Sequence, residues 1–224
     1  MPKAVTTHLQ PRKTPQQVRS ASTVDAILEA AIQVLLANGA TLTTTRVAAR
    51  AGVSVGTLYQ YFPNKGSLLQ TVLQQHLDGV ANAVEAACLV SQGQSLRSMS
   101  DTLIAAFIHA KFEHVEASVA LYRISDSVEG KAIALRMHTR VITAIANMLS
   151  TAADAQFANP RTVAETMLHT MAGLSRGVLE SGRGMAAKVT MQTELTRLAR
   201  AYLHTSASPN AASTSQERAD TSQA

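Results

Sequence analysis

The sequence predicts an all-α protein, with a small N-terminal three-helix unit ahead of a larger helical one. Three observations carry this. No segment sustains the period-two alternation of a half-buried strand. Apolar residues instead recur at three- and four-residue spacing across most of the chain. Helix starts and stops are marked by residues suited to those places, such as Ser54, Asn64 and Asn159-Pro160 at starts and Gly39, Gly52 and Gly182 at stops. With 224 residues, 46% of them hydrophobic, the chain can bury a core.

The elements follow in order. Residues 1–20 hold Lys3, Arg12, Lys13 and Arg19, three prolines and no acid, and read as a flexible basic arm. The first helix opens at Ser22, with Asp25 three residues on as in a capping box. Ile27, Leu28, Ala31, Val34 and Leu35 form its stripe, and Asn38-Gly39 stops it. The second starts within Thr43–Arg46, turns Val47, Ala48 and Ala51 inward, and ends at Gly52. Ser54 caps the third, which buries Leu58 and Phe62. Pro63 breaks it, and Asn64 caps a long fourth helix through Leu68, Val72, Leu77 and Val84.

The later helices are expected over Leu96–His114, Val115–Tyr122 and Lys131–Ala153. Met99, Leu103 and Phe107 align in the first of these, and Met137, Val141, Ile145 and Met148 in the last. Asn159-Pro160 opens another in the favoured way, a cap and then Pro at the first helical position. Its stripe is Val163, Met167, Met171, Leu174 and Val178, and Gly182 ends it. The last helix carries Met191, Leu195, Leu198 and Tyr202. The tail from Ser206 is mostly Ala, Ser, Thr and Gln, too polar to offset its ordering entropy, so disorder is expected. The expected division is 1–20 arm, 21–67 three-helix unit, 68–205 larger helical unit and 206–224 tail.

Charge is uneven. The total is +5, yet residues 1–80 hold 7 Lys/Arg against 3 Asp/Glu, a net of +4. A basic excess confined to the first third points to nucleic acid or another anionic surface. Cys88 is the single cysteine, which excludes an internal disulfide and a cysteine-based zinc site. The N-terminus has no signal-peptide core, and no stretch is expected to span a membrane. A cytoplasmic protein is expected.

The segment Val53–Lys65, VSVGTLYQYFPNK, is unlike a plain core helix. Two short helices joined by a tight Gly-containing turn form a helix-turn-helix pattern, whose second helix can enter the DNA major groove. Leu58 and Phe62 hold that helix in place, leaving Ser54, Val55, Gly56, Thr57, Gln60 and Tyr61 on the outer side. Gly56 permits close backbone approach. Thr57 suits a thymine methyl or base edge, and Gln60 can pair with adenine. Tyr59 and Tyr61 offer hydroxyls to phosphates. Lys65 stands in the first turn of a helix, where the dipole disfavours a cation until a phosphate arrives. Thr44, with Thr45 and Arg46 beside it, can do similar work at the second helix. The bland alternative is a three-helix cluster with polar residues turned to solvent.

Residues 22–73, centred on TTTRVAARAGVSVGTLYQYFPNKGSLL, resemble the DNA-binding domain of TetR-type (TetR/AcrR) transcriptional regulators. Thr43-Thr44, Ala48, Ala51-Gly52-Val53-Ser54, Gly56-Thr57-Leu58-Tyr59, Tyr61-Phe62 and Lys65 fall at the family's spacing. Gly66 departs from it, standing where Glu often follows the Lys. The resemblance implies a regulator, usually a repressor, that binds a palindromic double-stranded operator as a homodimer and is released by a small-molecule effector. It implies dimerisation through the last two helices, about 160–181 and 186–204, with no cofactor, no metal and no enzymatic activity. Gly173 and Gly177 permit close helix approach there, and the Met-rich stripe would pack across the two-fold axis or form internal core.

Other candidates are weaker. His109 and Glu113, one turn apart, form at most half of a metal site and are read as an exposed face. Tyr122, Arg123 and His138 are candidates for ligand contact against ordinary packing. Cys88 reads as a buried thiol. Pocket residues cannot be read where both sides of a helix are apolar. No phosphate-cradling Gly loop or nucleophile elbow occurs. The rival classes are an enzyme or carrier built on a helical bundle, and an architectural DNA-binding protein without a ligand.

Overall fold

The computed structural model describes residues 15–38, 42–113, 115–126, 128–182 and 184–209. Among these are nine helices: α1 (Pro15–Asn38), α2 (Thr44–Ala51), α3 (Val55–Tyr61), α4 (Lys65–Val90), α5 (Leu96–Phe112), α6 (Val115–Ser125), α7 (Val128–Leu149), α8 (Pro160–Glu180) and α9 (Gly184–Ser206). The chain forms two compact units, Met1–Leu69 and Gln70–Ala224.

In the first unit α1 packs on α2, and α2 on α3. Ile27, Leu28, Val34, Leu35, Val47, Leu58 and Leu68 close its core. α1 starts at Pro15, so Ser22 and Asp25 lie inside the helix and do not cap it. The reason is local: Pro fits a first helical turn, and Gln and Arg after it are good helix formers. The expected arm thus overlaps α1 from residue 15, while residues 1–14 and the expected Gly39 stop lie outside the described residues. Ser20–Ala37 is long and apolar enough to cross a membrane by length and composition, contrary to expectation. Its apolar stripe is nevertheless the buried side of this three-helix core.

In the second unit α7 packs on α8, α8 on α9 and α9 on α5, with α6 against α7 and α8. Met99, Ile104, Ile145, Met148, Leu168, Leu195 and Leu203 are among its fully shielded side chains. Arg140 ties α7 to α4. Its guanidinium donates to Asp78 (2.7 Å), to Asn82 (2.8 Å) and to both Glu85 oxygens (3.0 and 2.7 Å). The start of α5 is held by the segment after α7: the Asp154 carboxylate accepts the Leu96 N–H at 2.8 Å, and the Ala153 N–H donates to the Gln94 carbonyl.

Two expectations need correction here, and one open alternative is decided. The region between the ends is not wholly helical, because β1 (Ala155–Gln156) pairs antiparallel with β2 (Ser208–Pro209). The expected tail therefore begins with the end of α9 and a short strand, and its remainder, 210–224, lies outside the described residues. The Met stripe of α8 is internal: Met167 and Met171 are buried in the protomer, as are Met99, Met137, Met148 and Met191. Between α6 and α7 the chain closes on itself. A Cβ at Gly130, in the first turn of α7, would collide with the Ile124 carbonyl oxygen, so the approach requires glycine.

Candidate nucleic-acid interface and candidate pocket

The α2–α3 segment is built by its caps. The Thr43 hydroxyl accepts the Arg46 N–H at the start of α2. Gly52 ends the helix at φ 70°, a left-handed conformation that costs glycine little, and the Val53 N–H reaches back to the Ala48 carbonyl at 3.0 Å. Ser54 Oγ then accepts the Thr57 N–H at 2.9 Å and lies 2.8 Å from Thr57 Oγ1. Leu58 is 0% exposed and Phe62 6%, which anchors the inner side of α3. Asn64 and Ser67 cap α4 reciprocally: Asn64 Oδ1 accepts the Ser67 N–H at 2.8 Å, and Ser67 Oγ accepts the Asn64 N–H at 3.3 Å. This box compensates for Gly66 in the first turn.

None of the eleven residues singled out from sequence is buried. Thr45, Arg46, Ser54, Gly56, Tyr59, Gln60 and Lys65 are exposed, and Thr44, Val55, Thr57 and Tyr61 are half-buried. Thr44 and Tyr59 are brought together, with Oγ1 and the phenolic oxygen 3.1 Å apart. Arg50, which the sequence reading left out, is exposed and donates to Gln33 Oε1 at 2.6 Å, tying α2 to α1.

The second unit contains a cavity of about 350 Å³, lined by residues of α4 through α8. Its apolar wall includes Leu73, Leu77, Phe107, Leu121, Met137 and Leu168. Its polar lining includes Lys111, Tyr122, Asp126, His138, His169 and Arg176. Lys111 is only 8% exposed, and its ammonium lies 4.9 Å from the Tyr122 ring centroid. Arg176 sits 4.8 Å from the same ring, donates two bonds to the Asp126 carboxylate (3.0 and 2.8 Å) and pairs with Glu180 at 2.8 Å. Among the described residues the buried Tyr122 hydroxyl makes no hydrogen bond of good geometry, with Ser175 its nearby hydroxyl neighbour. Also in the lining, Ser118 Oγ lies 3.2 Å from His76 Nε2 and donates to the Lys111 carbonyl.

Burial sets the electrostatics of this lining. It pushes the Lys111 ammonium down to about 8, helped by the like charge of Arg176. It pushes the Tyr122 phenol up to about 12, against the opposing pull of Arg176. His138 is held below its ordinary value by burial and then by His169 and Lys111, so the ring favours its neutral form. Tyr122 and His138 were sequence candidates and line the cavity; the Arg123 side chain lies outside the described residues. Lys111 was missed, although Met99, Leu103, Phe107 and Lys111 share one spacing of four, which puts a lysine on a core stripe.

Other sites are weaker on geometry as well. A second cavity of about 400 Å³ is lined by Leu96, Asp154, Arg200 and His204, but Arg200 is already forked to Asp101 and Asp154 caps α5. His109 and Glu113 are exposed, and among the described residues no group of three or more His, Cys, Asp or Glu could hold a metal ion. Cys88 is buried and its thiol is pushed up to about 12, first by burial and then by the Glu85 charge.

Comparison with known proteins gives two family matches. Residues 27–72 match the model for bacterial regulatory proteins of the tetR family, and residues 95–203 match that for the tetracyclin repressor-like C-terminal domain. No curated protein matches the chain. Among solved structures, it resembles a TetR-family transcriptional regulator from Mesorhizobium loti, at 18% identity and TM-score 0.69, covering 84% of this chain and 98% of that one. A tetR-family regulator from Streptomyces coelicolor gives 19% identity and TM-score 0.66, covering 83% and 82%. The multidrug binding protein EbrR, complexed with imidazole, gives 22% and 0.59, covering 78% and 93%. At these identities the likeness is one of fold.

Proposed function

The chain belongs to the TetR family of DNA-binding transcriptional regulators and is not an enzyme, and from that premise we propose that it is a repressor: a dimer that binds a palindromic operator and is released by a small molecule. The observation that carries the reading is the outer side of α3. It is fixed from within by Leu58 and Phe62 and from its start by Ser54, yet none of its candidate contact residues is buried.

In this reading α3 lies in the major groove. Gly56 allows the backbone close, while Thr57 and Gln60 meet base edges. Thr44, Thr45, Arg46, Tyr59 and Tyr61 contact the sugar-phosphate backbone, and Val55 adds apolar contact. Lys65 is the first residue of α4, where a phosphate meets both its ammonium and the free helix amides.

Dimerisation uses α8 and α9. Gly173 and Gly177 are exposed one turn apart, with nothing within 4 Å of where a Cβ would stand. Leu174 on α8 and Val189 and Leu198 on α9 leave apolar surface beside them. The buried methionines take no part.

The effector occupies the cavity lined by Leu73, His76 and Leu77 of α4, the same helix that begins at Lys65. A ligand that prefers one position of α4 over another biases the spacing of two reading heads against fixed half-sites. EbrR, described as a multidrug binding protein, shows that this fold can serve ligand binding. The test is a titration of the full chain against double-stranded DNA flanking its own coding sequence, with scrambled DNA beside it. Specific, dimer-sized complexes are expected. Equal binding to both DNAs would overturn the operator reading.

A further inference from the structure

A lysine on the inward stripe of a helix raises a plain question: what neutralises it? Lys111 is 8% exposed and lines the 350 Å³ cavity. Among the described residues no carboxylate lies within ion-pair distance of it. The Asp126 carboxylate of the lining is engaged by Arg176, which also pairs with Glu180. The charge that most affects Lys111 is that same Arg176, which repels it. Among the described residues its favourable contact is the face of the Tyr122 ring.

Tyr122 adds a second, independent observation. Its hydroxyl is buried in the cavity wall and makes no hydrogen bond of good geometry among the described residues; the nearby Ser175 hydroxyl, which donates to the Ala172 carbonyl, acts on it only weakly as an acceptor. Buried polar groups without partners are uncommon in folded proteins, and each calls for an explanation, such as a bound water, ion or ligand. An unpaired buried ammonium is costlier still. Both groups line one cavity, whose wall also carries His76, His138, His169, Asp126 and Arg176 beside an apolar portion of Leu, Val, Phe and Met.

We infer that the effector is an organic anion, a single carboxylate or equivalent acidic head on an apolar body, whose head pairs with Lys111 and accepts the Tyr122 hydroxyl. The neutral His138 ring and the Ser118–His76 pair border the head without competing for it. The apolar body lies along Leu73, Leu77, Phe107 and Met137. A cationic ligand would leave the Lys111 ammonium without a counter-charge, since Asp126 and Glu180 are already matched to Arg176. The inference rests on the reading of this cavity as the effector site and adds the chemical class of its occupant.

The test is calorimetric binding to the full chain with two matched series, one on an eight-carbon alkyl body and one on a phenylpropyl body. Each carries a carboxylate, a phosphate monoester, a primary amide or an ammonium as its head. In wild type an acidic head is expected to bind at least tenfold more tightly than the amide on the same body, and the ammonium more weakly than either. The carboxylate and phosphate arms separate the two acidic sources. Lys111→Met is expected to lose at least tenfold in affinity for the acids and less than threefold for the amides. Amide or ammonium binding as tight as the acid, in wild type alone, overturns the anion inference and leaves the cavity as an effector site. No binding by any member of either series overturns both.

Discussion

The Tyr59 hydroxyl lies 3.1 Å from Thr44 Oγ1, joining the middle of α3 to the first residue of α2. Both residues were assigned phosphate contacts separately, and the structure makes them a pair. Each fixes the other's hydroxyl at the surface, so a phosphate oxygen would meet two oriented groups. Tyr59→Phe should therefore weaken operator binding about three- to tenfold, within the range of a single net hydrogen bond. Thr44→Val should do the same, and the double variant should lose less than the sum. Anisotropy titrations over the four proteins measure the coupling, and full additivity would mean the pair is incidental.

Lys65 tests the electrostatic side. If it neutralises one phosphate per protomer, Lys65→Ala should reduce the slope of log K against log salt by about 0.9 for each contact removed. Affinity should fall equally for operator and scrambled DNA, since phosphates carry no sequence information. A parallel salt line for the variant would remove Lys65 from the interface.

Arg140 gathers Asp78, Asn82 and Glu85 of α4 onto α7. The guanidinium and its partners are more than a third exposed, so solvent screening keeps the network to about 1 kcal/mol. Arg140→Ala should lower Tm by about 2–4 °C. Because α7 and α4 both line the cavity, the ligand concentration for half-release from operator should change at least threefold while affinity without ligand stays within threefold. A drop in Tm with release unchanged would make Arg140 a strut only.

Lys111 makes a prediction about stability that needs no ligand. Its ammonium is held at about 8 against an ordinary 10.5. Below about pH 8 folded and unfolded chains both carry the proton, and the burial cost is felt in full. Between about 8 and 10.5 the unfolded chain binds more protons, so this contribution to stability improves as pH rises. Lys111→Met should accordingly be more stable than wild type by about 2 kcal/mol at pH 7, after allowing for the lost ring contact. The gap should narrow by pH 10. Denaturant melts at the two pH values check it, and a less stable variant with a constant gap would contradict it.

Among the described glycines, Gly130 stands nearest to a facing backbone atom. Gly130→Ala must push the first turn of α7 away from the Ile124 carbonyl, and overpacking of this kind costs about 1–3 kcal/mol. A fall of several degrees in Tm is expected, and an unchanged melt would show that the turn relaxes freely.

The first unit was more legible in the sequence than the second, for a physical reason. Between Thr43 and Ser67 each helix end is written by one residue whose side chain or backbone has a single task, as with Ser54, Gly52 and Asn64. Where a start depends on competing options the reading slipped: Ser22 looked like a cap, but Pro15 began the helix. The large helices are apolar on more than one side, so periodicity did not tell the protomer's own core from a surface left for a second chain. Met167 and Met171 went inward and Gly173 and Gly177 stayed outside. The cavity as a whole was not legible because it is assembled from five helices: Tyr122 and His138 stood out singly, and the lysine in register with Leu103 and Phe107 went unread.

The sulfur atoms have a consequence of their own. Six methionines and the lone thiol are shielded inside the protein. Peroxide can reach them only when the packing opens. Oxygen atoms added in a timed exposure, counted by intact mass, would therefore serve as a clock for breathing of the helices, and any ligand that quiets this breathing would slow the clock.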